Sequence, residues 1–165
     1  MSAGEVLPVG LGELKVSRER EAVLVCYGLG SCVGIALYDP VTRVAGMAHV
    51  VLPDSGQGRG GEAAGKFADT AVPALLAELA SQGAARSRLQ CRIAGGARML
   101  TVAGGSMARL DIGTRNGDAV RAALEQARVP IAAADLGGTY GRTVSLHVHT
   151  GRLLISTVGR GEKEL

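Results

Sequence analysis

Apolar positions along the chain fall into short runs separated by glycine and proline. Ala22 to Tyr27 is a β-prone run closed by Gly28-Leu29-Gly30. Val33 to Tyr38 is a second, ended by the turn signal Asp39-Pro40, and Val44 to Leu52 is a third, stopped by Pro53. Their short connections predict an antiparallel meander. From Pro53 to Gly65 the pattern lapses. Asp54, Ser55 and the glycines at 56, 58, 60, 61 and 65 deny the segment any period, so a lid or a disordered loop is expected there. Helical spacing begins at Lys66. Phe67, Ala71, Leu75 and Leu79 form one stripe with Val72 and Leu76 beside it, which predicts a helix to Gln82, capped by Gly83 and bent by Pro73. A strand is expected over Arg88 to Ala94. A second helix is expected over Asn116 to Arg128, with Asn116 as its N-cap and Val120, Leu124 and Ala127 inward. Further strands are predicted over Val129 to Ala134, Thr143 to Val148 and Leu153 to Val158, the last two joined by a hairpin at Thr150-Gly151. Gly95-Gly96, Gly104-Gly105 and Gly137-Gly138 read as turns. Strands come in runs rather than alternating with helices. The expected class is therefore α+β, with mostly antiparallel, sandwich-like β-sheets covered by two main helices.

Composition narrows this picture. The 165 residues suit a single domain spanning 1–165, and at 47% hydrophobic with a net charge of +3 the chain is not a disordered one. One Phe, three Tyr and no Trp mean that the core must be built from aliphatic side chains. No apolar run approaches the roughly 20 residues that span a bilayer, so membrane insertion is not expected. Met1 to Glu13 lacks a basic, cleavable leader, which makes the cytoplasm the expected compartment. The sequence pI near 9.0 invites a nucleic-acid reading. Against it, the arginines alternate with acids, as in Arg18-Glu19-Arg20-Glu21, and few aromatic rings are available for stacking on bases.

The candidate chemistry gathers at Tyr27-Gly28-Leu29-Gly30-Ser31-Cys32-Val33, where a strand meets a glycine turn that presents a Ser-Cys pair. Glycines flanking Leu29 permit positive φ, and the backbone N–H groups around Gly30 and Ser31 could then converge as an oxyanion site. A thiol needs a base, because the thiolate is the nucleophile. His49, in the otherwise apolar Met47-Ala48-His49-Val50-Val51, is the natural partner if the meander brings the two together. The residues alone equally allow a buried filler cysteine and a core histidine bonded to a carbonyl. A dinucleotide fingerprint in the same glycines is disfavoured, because the segment after the turn is β-prone and offers no helix N-terminus for pyrophosphate. Cys26, Cys32 and Cys91 are odd in number and lack CxxC spacing, which argues against a disulfide framework or a zinc knuckle. His147 and His149 alternate on one strand without an evident third ligand, so an exposed hairpin face is expected rather than a metal site.

Taken together, Gly28-Leu29-Gly30-Ser31-Cys32-Val33, Tyr38-Asp39-Pro40, Met47 to Pro53 and Lys66-Phe67-Ala68-Asp69 resemble the CheD family of chemoreceptor glutamine deamidases. So do Ala94-Gly95-Gly96-Ala97, Ile112-Gly113-Thr114-Arg115-Asn116, Asp135-Leu136-Gly137-Gly138 and Gly141-Arg142-Thr143, which follow in the family's order. The resemblance implies an α/β sandwich similar to toxin deamidases and a protein-glutamine glutaminase activity in chemotaxis. It implies Cys32 as nucleophile, His49 as general base, and no metal or organic cofactor. The implied partners are the cytoplasmic domains of methyl-accepting chemotaxis receptors and a CheC-type phosphatase. One position departs from the pattern. The family usually carries a threonine six residues before the nucleophile to orient the histidine, and Cys26 stands there instead. A thiol is the poorer hydrogen-bond partner, so a catalytically weak, adaptor-like member is the alternative reading.

Overall fold

The computed structural model describes residues 4–99 and 112–165. The turn expected at Gly104-Gly105 lies outside the described residues. Ten strands, β1 (Glu5–Pro8), β2 (Leu14–Ser17), β3 (Ala22–Leu29), β4 (Val33–Asp39), β5 (Val44–Val50), β6 (Gln90–Gly95), β7 (Ile131–Leu136), β8 (Arg142–His147), β9 (Leu153–Thr157) and β10 (Gly161–Glu164), are described with two α-helices, α1 (Ala68–Ser81) and α2 (Ile112–Gln126). They form two five-stranded sheets, ordered β1-β3-β8-β9-β10 and β2-β5-β4-β6-β7. Only β1–β3 and β6–β7 pair in parallel among these ladders; the rest are antiparallel. The α+β expectation holds.

Burial explains why the two sheets read differently in sequence. β4 and β5 are buried at every position, because they lie in the middle of three layers. Val33, Ile35 and Leu37 of β4, with Val44, Ala48 and Val50 of β5, pack against α1 and α2. Ala36, Tyr38, Ala45 and Met47 point the other way, into a second core shared with Leu24, Cys26, Val144 and Leu146 of the opposite sheet. That opposite sheet buries one face only, so β8 alternates: Arg142, Val144 and Leu146 are buried while Thr143, Ser145 and His147 are not. The one fully enclosed phenol stitches the sheets together, since Tyr38 Oη donates to the carbonyl of Val148 at 2.9 Å.

Three expectations need correction. β3, β4 and β5 are not one meander. β4 and β5 form an antiparallel hairpin, but β3 belongs to the other sheet, between β1 and β8. β3 carries an irregularity between Cys26 and Leu29, where Gly28 takes φ 59°, and beyond Leu29 the chain passes to the other sheet. The segment from Pro53 to Gly65 is not structureless: it carries a 3₁₀ turn at Ser55–Gln57, and another follows at Ala64–Lys66. Asp54 Oδ1 accepts from Gly56 N, while Ser55 donates to Asp69 from both its N–H and its hydroxyl. Finally, α2 begins at Ile112, so Asn116 lies within the helix rather than capping it.

Candidate functional site

The passage from β3 to β4 builds the site. After the bulge Leu29 returns to the ladder opposite Arg142, and Gly30 to Cys32 cross to the second sheet. Of the two glycines flanking Leu29, only Gly28 needs the left-handed region. Gly30 answers to space instead: a Cβ there would lie 3.1 Å from Cγ of Met99. Each carbonyl of the turn is taken. Gly30 O accepts from Ala97 N and Cys32 O from Gly96 N, both at 2.8 Å. Ser31 O accepts from Asn116 Nδ2 at 2.9 Å. Among the described residues the N–H groups of Ser31 and Cys32 find no acceptor.

His49 faces the layer between the sheets. Position 49 shares the inward face of β5 with Ala45 and Met47, and it pairs directly with Gly34. Cys32 precedes Gly34 by two residues, so strand alternation puts thiol and imidazole on the same face. Gly34 itself is closely covered: a Cβ there would lie 3.2 Å from Leu29 Cδ1 and 3.7 Å from Cys26 Sγ. Cys26 therefore faces Gly34 from the opposite sheet, where it pairs with Val144. Cys91 is on the far face of β6, among the residues that contact the helices.

The imidazole's protonation follows from its partners. Nδ1 lies 2.9 Å from the carbonyl of Val9, and a carbonyl can only accept, so Nδ1 carries the proton. Nε2 is the ring nitrogen left for other work. It is buried and has no hydrogen-bond partner among the described residues, on a side chain that is 4% exposed. Val9 is itself fixed by donating its N–H to Val25 O on β3, while Gly12 N and Glu13 O bond the backbone of His49. The N-terminal segment thus wraps the histidine, a role with no signature in the sequence pattern beyond a short apolar stretch. Asn116 was likewise missed as a contact of the turn; its only signal was a polar residue on an otherwise apolar helix face.

All three thiols are held protonated. Burial pushes Cys32 up from its ordinary value. Burial, together with the neighbouring Cys32, takes Cys26 up to about 12, and burial takes Cys91 up to about 12. The seam thus holds a protonated thiol on the same face as the imidazole, with a turn whose Ser31 and Cys32 N–H groups meet no acceptor among the described residues. That set can perform acyl transfer once proton and electron pair move together. His147 and His149 do not add a metal centre. His149 contacts the guanidinium groups of Arg20 and Arg43, and among the described residues no group of His, Cys, Asp or Glu is arranged to hold a metal ion. No helix among the described residues is long and apolar enough to cross a membrane.

An α+β body with a cysteine and a histidine in the seam between its sheets has identifiable relatives. Residues 51–157 match the family model described as CheD chemotactic sensory transduction. A protein of Symbiobacterium thermophilum named probable chemoreceptor glutamine deamidase CheD is 61% identical over the whole of both chains. One of Moorella thermoacetica with the same name is 46% identical, covering 92% of this chain and 90% of its own. The chemoreceptor glutamine deamidase CheD of Halalkalibacterium halodurans is 44% identical, covering 98% of this chain and 99% of its own. The chain belongs to the CheD family.

Proposed function

We propose that the protein is a cytoplasmic protein-glutamine glutaminase that converts selected glutamine side chains of methyl-accepting chemotaxis receptors to glutamate. The observation that carries this reading is His49, on the face shared with Cys32, whose Nδ1 is committed to Val9 O and whose buried Nε2 has no partner among the described residues. The relatives' names supply the substrate class.

In this reading Nε2 of His49 takes the Cys32 proton as the sulfur attacks the glutamine carbonyl carbon. The carbonyl electron pair moves to oxygen, where the N–H groups of Ser31 and Cys32 receive it. Collapse of the tetrahedral species breaks the C–N bond, and His49 returns its proton to the departing nitrogen, which leaves as ammonia. A thioester on Cys32 remains. Water then attacks it, giving its proton to His49, and the products are glutamate and the free thiol. Every step uses side chains and backbone of this chain. Gly30 contributes by admitting close packing at the turn, and Cys26 lines the seam. The natural substrate surface is the cytoplasmic domain of a receptor, with a CheC-type phosphatase as a second partner.

The adaptor reading is separated from the enzyme by ammonia. Incubating a receptor cytoplasmic domain with the wild-type protein should release ammonia in step with glutamate formation, and His49→Ala should abolish most of that release. Binding of the receptor domain or the phosphatase with no ammonia above background would favour the adaptor.

A further inference from the structure

Asn116 is fully buried on α2, yet its side chain serves the turn rather than the helix. Nδ2 donates to the carbonyls of Ser31 and Val51, each at 2.9 Å. Both partners are acceptors only, so the atom facing them must be the nitrogen. Oδ1 is buried and has no partner among the described residues. Burying an amide with half its capacity unmet costs free energy, and an aliphatic residue would pack there without that cost. The two hydrogen bonds therefore point to a requirement beyond filling space.

The requirement lies in the peptide they hold. Ser31 C=O and Cys32 N–H are the two ends of one peptide unit, which is planar and trans. Drawing the oxygen toward α2 turns the N–H the opposite way, toward the side of the turn where no described residue accepts it. A hydrogen bond to the oxygen also polarises the unit and makes its N–H a stronger donor. The second bond, to Val51 at the end of the His49 strand, stops the amide from rotating away. Ala97 N and Gly96 N hold the flanking carbonyls of Gly30 and Cys32, so the plane in the middle of the turn is the one that depends on a side chain.

We infer that Asn116 is a positioning residue that aims the Cys32 N–H at the oxyanion of the tetrahedral intermediate. This rests on the hydrolytic reading above. It separates the residue from the thiol chemistry itself, because alkylation of Cys32 by iodoacetamide creates no oxyanion and needs no such donor.

The test compares two rates in Asn116→Leu, which keeps the volume but removes both donors, with Asn116→Ala as the second variant should the first not fold. For deamidation of a purified receptor cytoplasmic domain, kcat should fall by roughly 10- to 100-fold while KM stays within about twofold, the pattern of an interaction made only in the transition state. The rate of Cys32 alkylation should stay within about twofold of wild type, since no oxyanion develops there. A folded variant with unchanged kcat would overturn the inference. So would deamidation and alkylation falling together, or a failure of both variants to fold, since each would assign Asn116 to the general integrity of the fold. A wild-type protein that makes no glutamate would instead remove the hydrolytic reading beneath it.

Discussion

A backbone carbonyl holds His49 where a hydroxyl would be expected. Val9 O fixes the tautomer and the ring orientation, and Val9 is in turn tied to β3 through Val25. With that contact in place, the thiol at Cys26 is not expected to take the orienting task that the family pattern gives to a threonine at this place. Burial keeps it protonated, with its ionisation pushed up to about 12, and it fills the seam beside Gly34. Replacing it should matter little to the chemistry. Cys26→Ala and Cys26→Thr should each keep kcat for receptor deamidation within about tenfold of wild type, or about 1.4 kcal/mol of barrier. A much larger loss in a variant that still melts like wild type would return the orienting role to Cys26.

At the scale of elements, the β4–β5 hairpin puts Cys32 and His49 on one face, and its far end is secured by a buried carboxylate. Asp39 closes β4 and is fully enclosed. It accepts from Val41 N and Thr42 N in the turn, and from Ala85 N and the Arg88 guanidinium before β6. Burial alone would raise its pKa, but the Arg88 hydrogen bonds and the backbone N–H groups outweigh it and hold the carboxyl well below its usual range. A depressed folded value means that the pairing stabilises the protein above the unfolded carboxyl pKa of about 3.9 and is lost as pH falls below it. Asp39→Asn should therefore lower stability at neutral pH by about 2 kcal/mol, less than the roughly 3–5 kcal/mol of a fully buried pair because Arg88 is partly exposed. The gap between variant and wild type should narrow in acid. Urea melts at neutral pH and below the carboxylate range measure it, and a gap that widened in acid would contradict this account. Proline and aspartate after the second apolar run announced this turn in the sequence, whereas the distant partner Arg88 has no local signal.

For the whole molecule, legibility followed the number of buried faces. β4, β5 and α1 were readable because continuous apolar runs and a four-residue stripe survive without knowledge of their neighbours. The sheet to which each strand belongs was not readable. Gly30 to Cys32 carry the chain across after Leu29 has rejoined its ladder, and a glycine-leucine-glycine string suits a hairpin turn equally well. The short strands β1, β2 and β10 escaped notice because few of their positions are buried, and β10 is exposed throughout. Cys32 and His49 were legible as a polar pair that apolar surroundings did not explain. Val9 was not, since it acts through its main chain, which every residue possesses. Asn116 was visible as a residue but not as a contact of the turn, because the Ser31 carbonyl it serves lies 85 positions away in the chain.

The central claim is that Cys32 is the sulfur on which the receptor glutamine is opened. The measurement closest to it is peptide mass mapping of a receptor cytoplasmic domain after incubation with wild type or with Cys32→Ala, each checked for folding by its melting profile. Wild type should convert particular glutamines to glutamate, and Cys32→Ala should convert none above the rate without protein. Conversion by a folded Cys32→Ala at the wild-type rate would place the chemistry elsewhere and contradict the account.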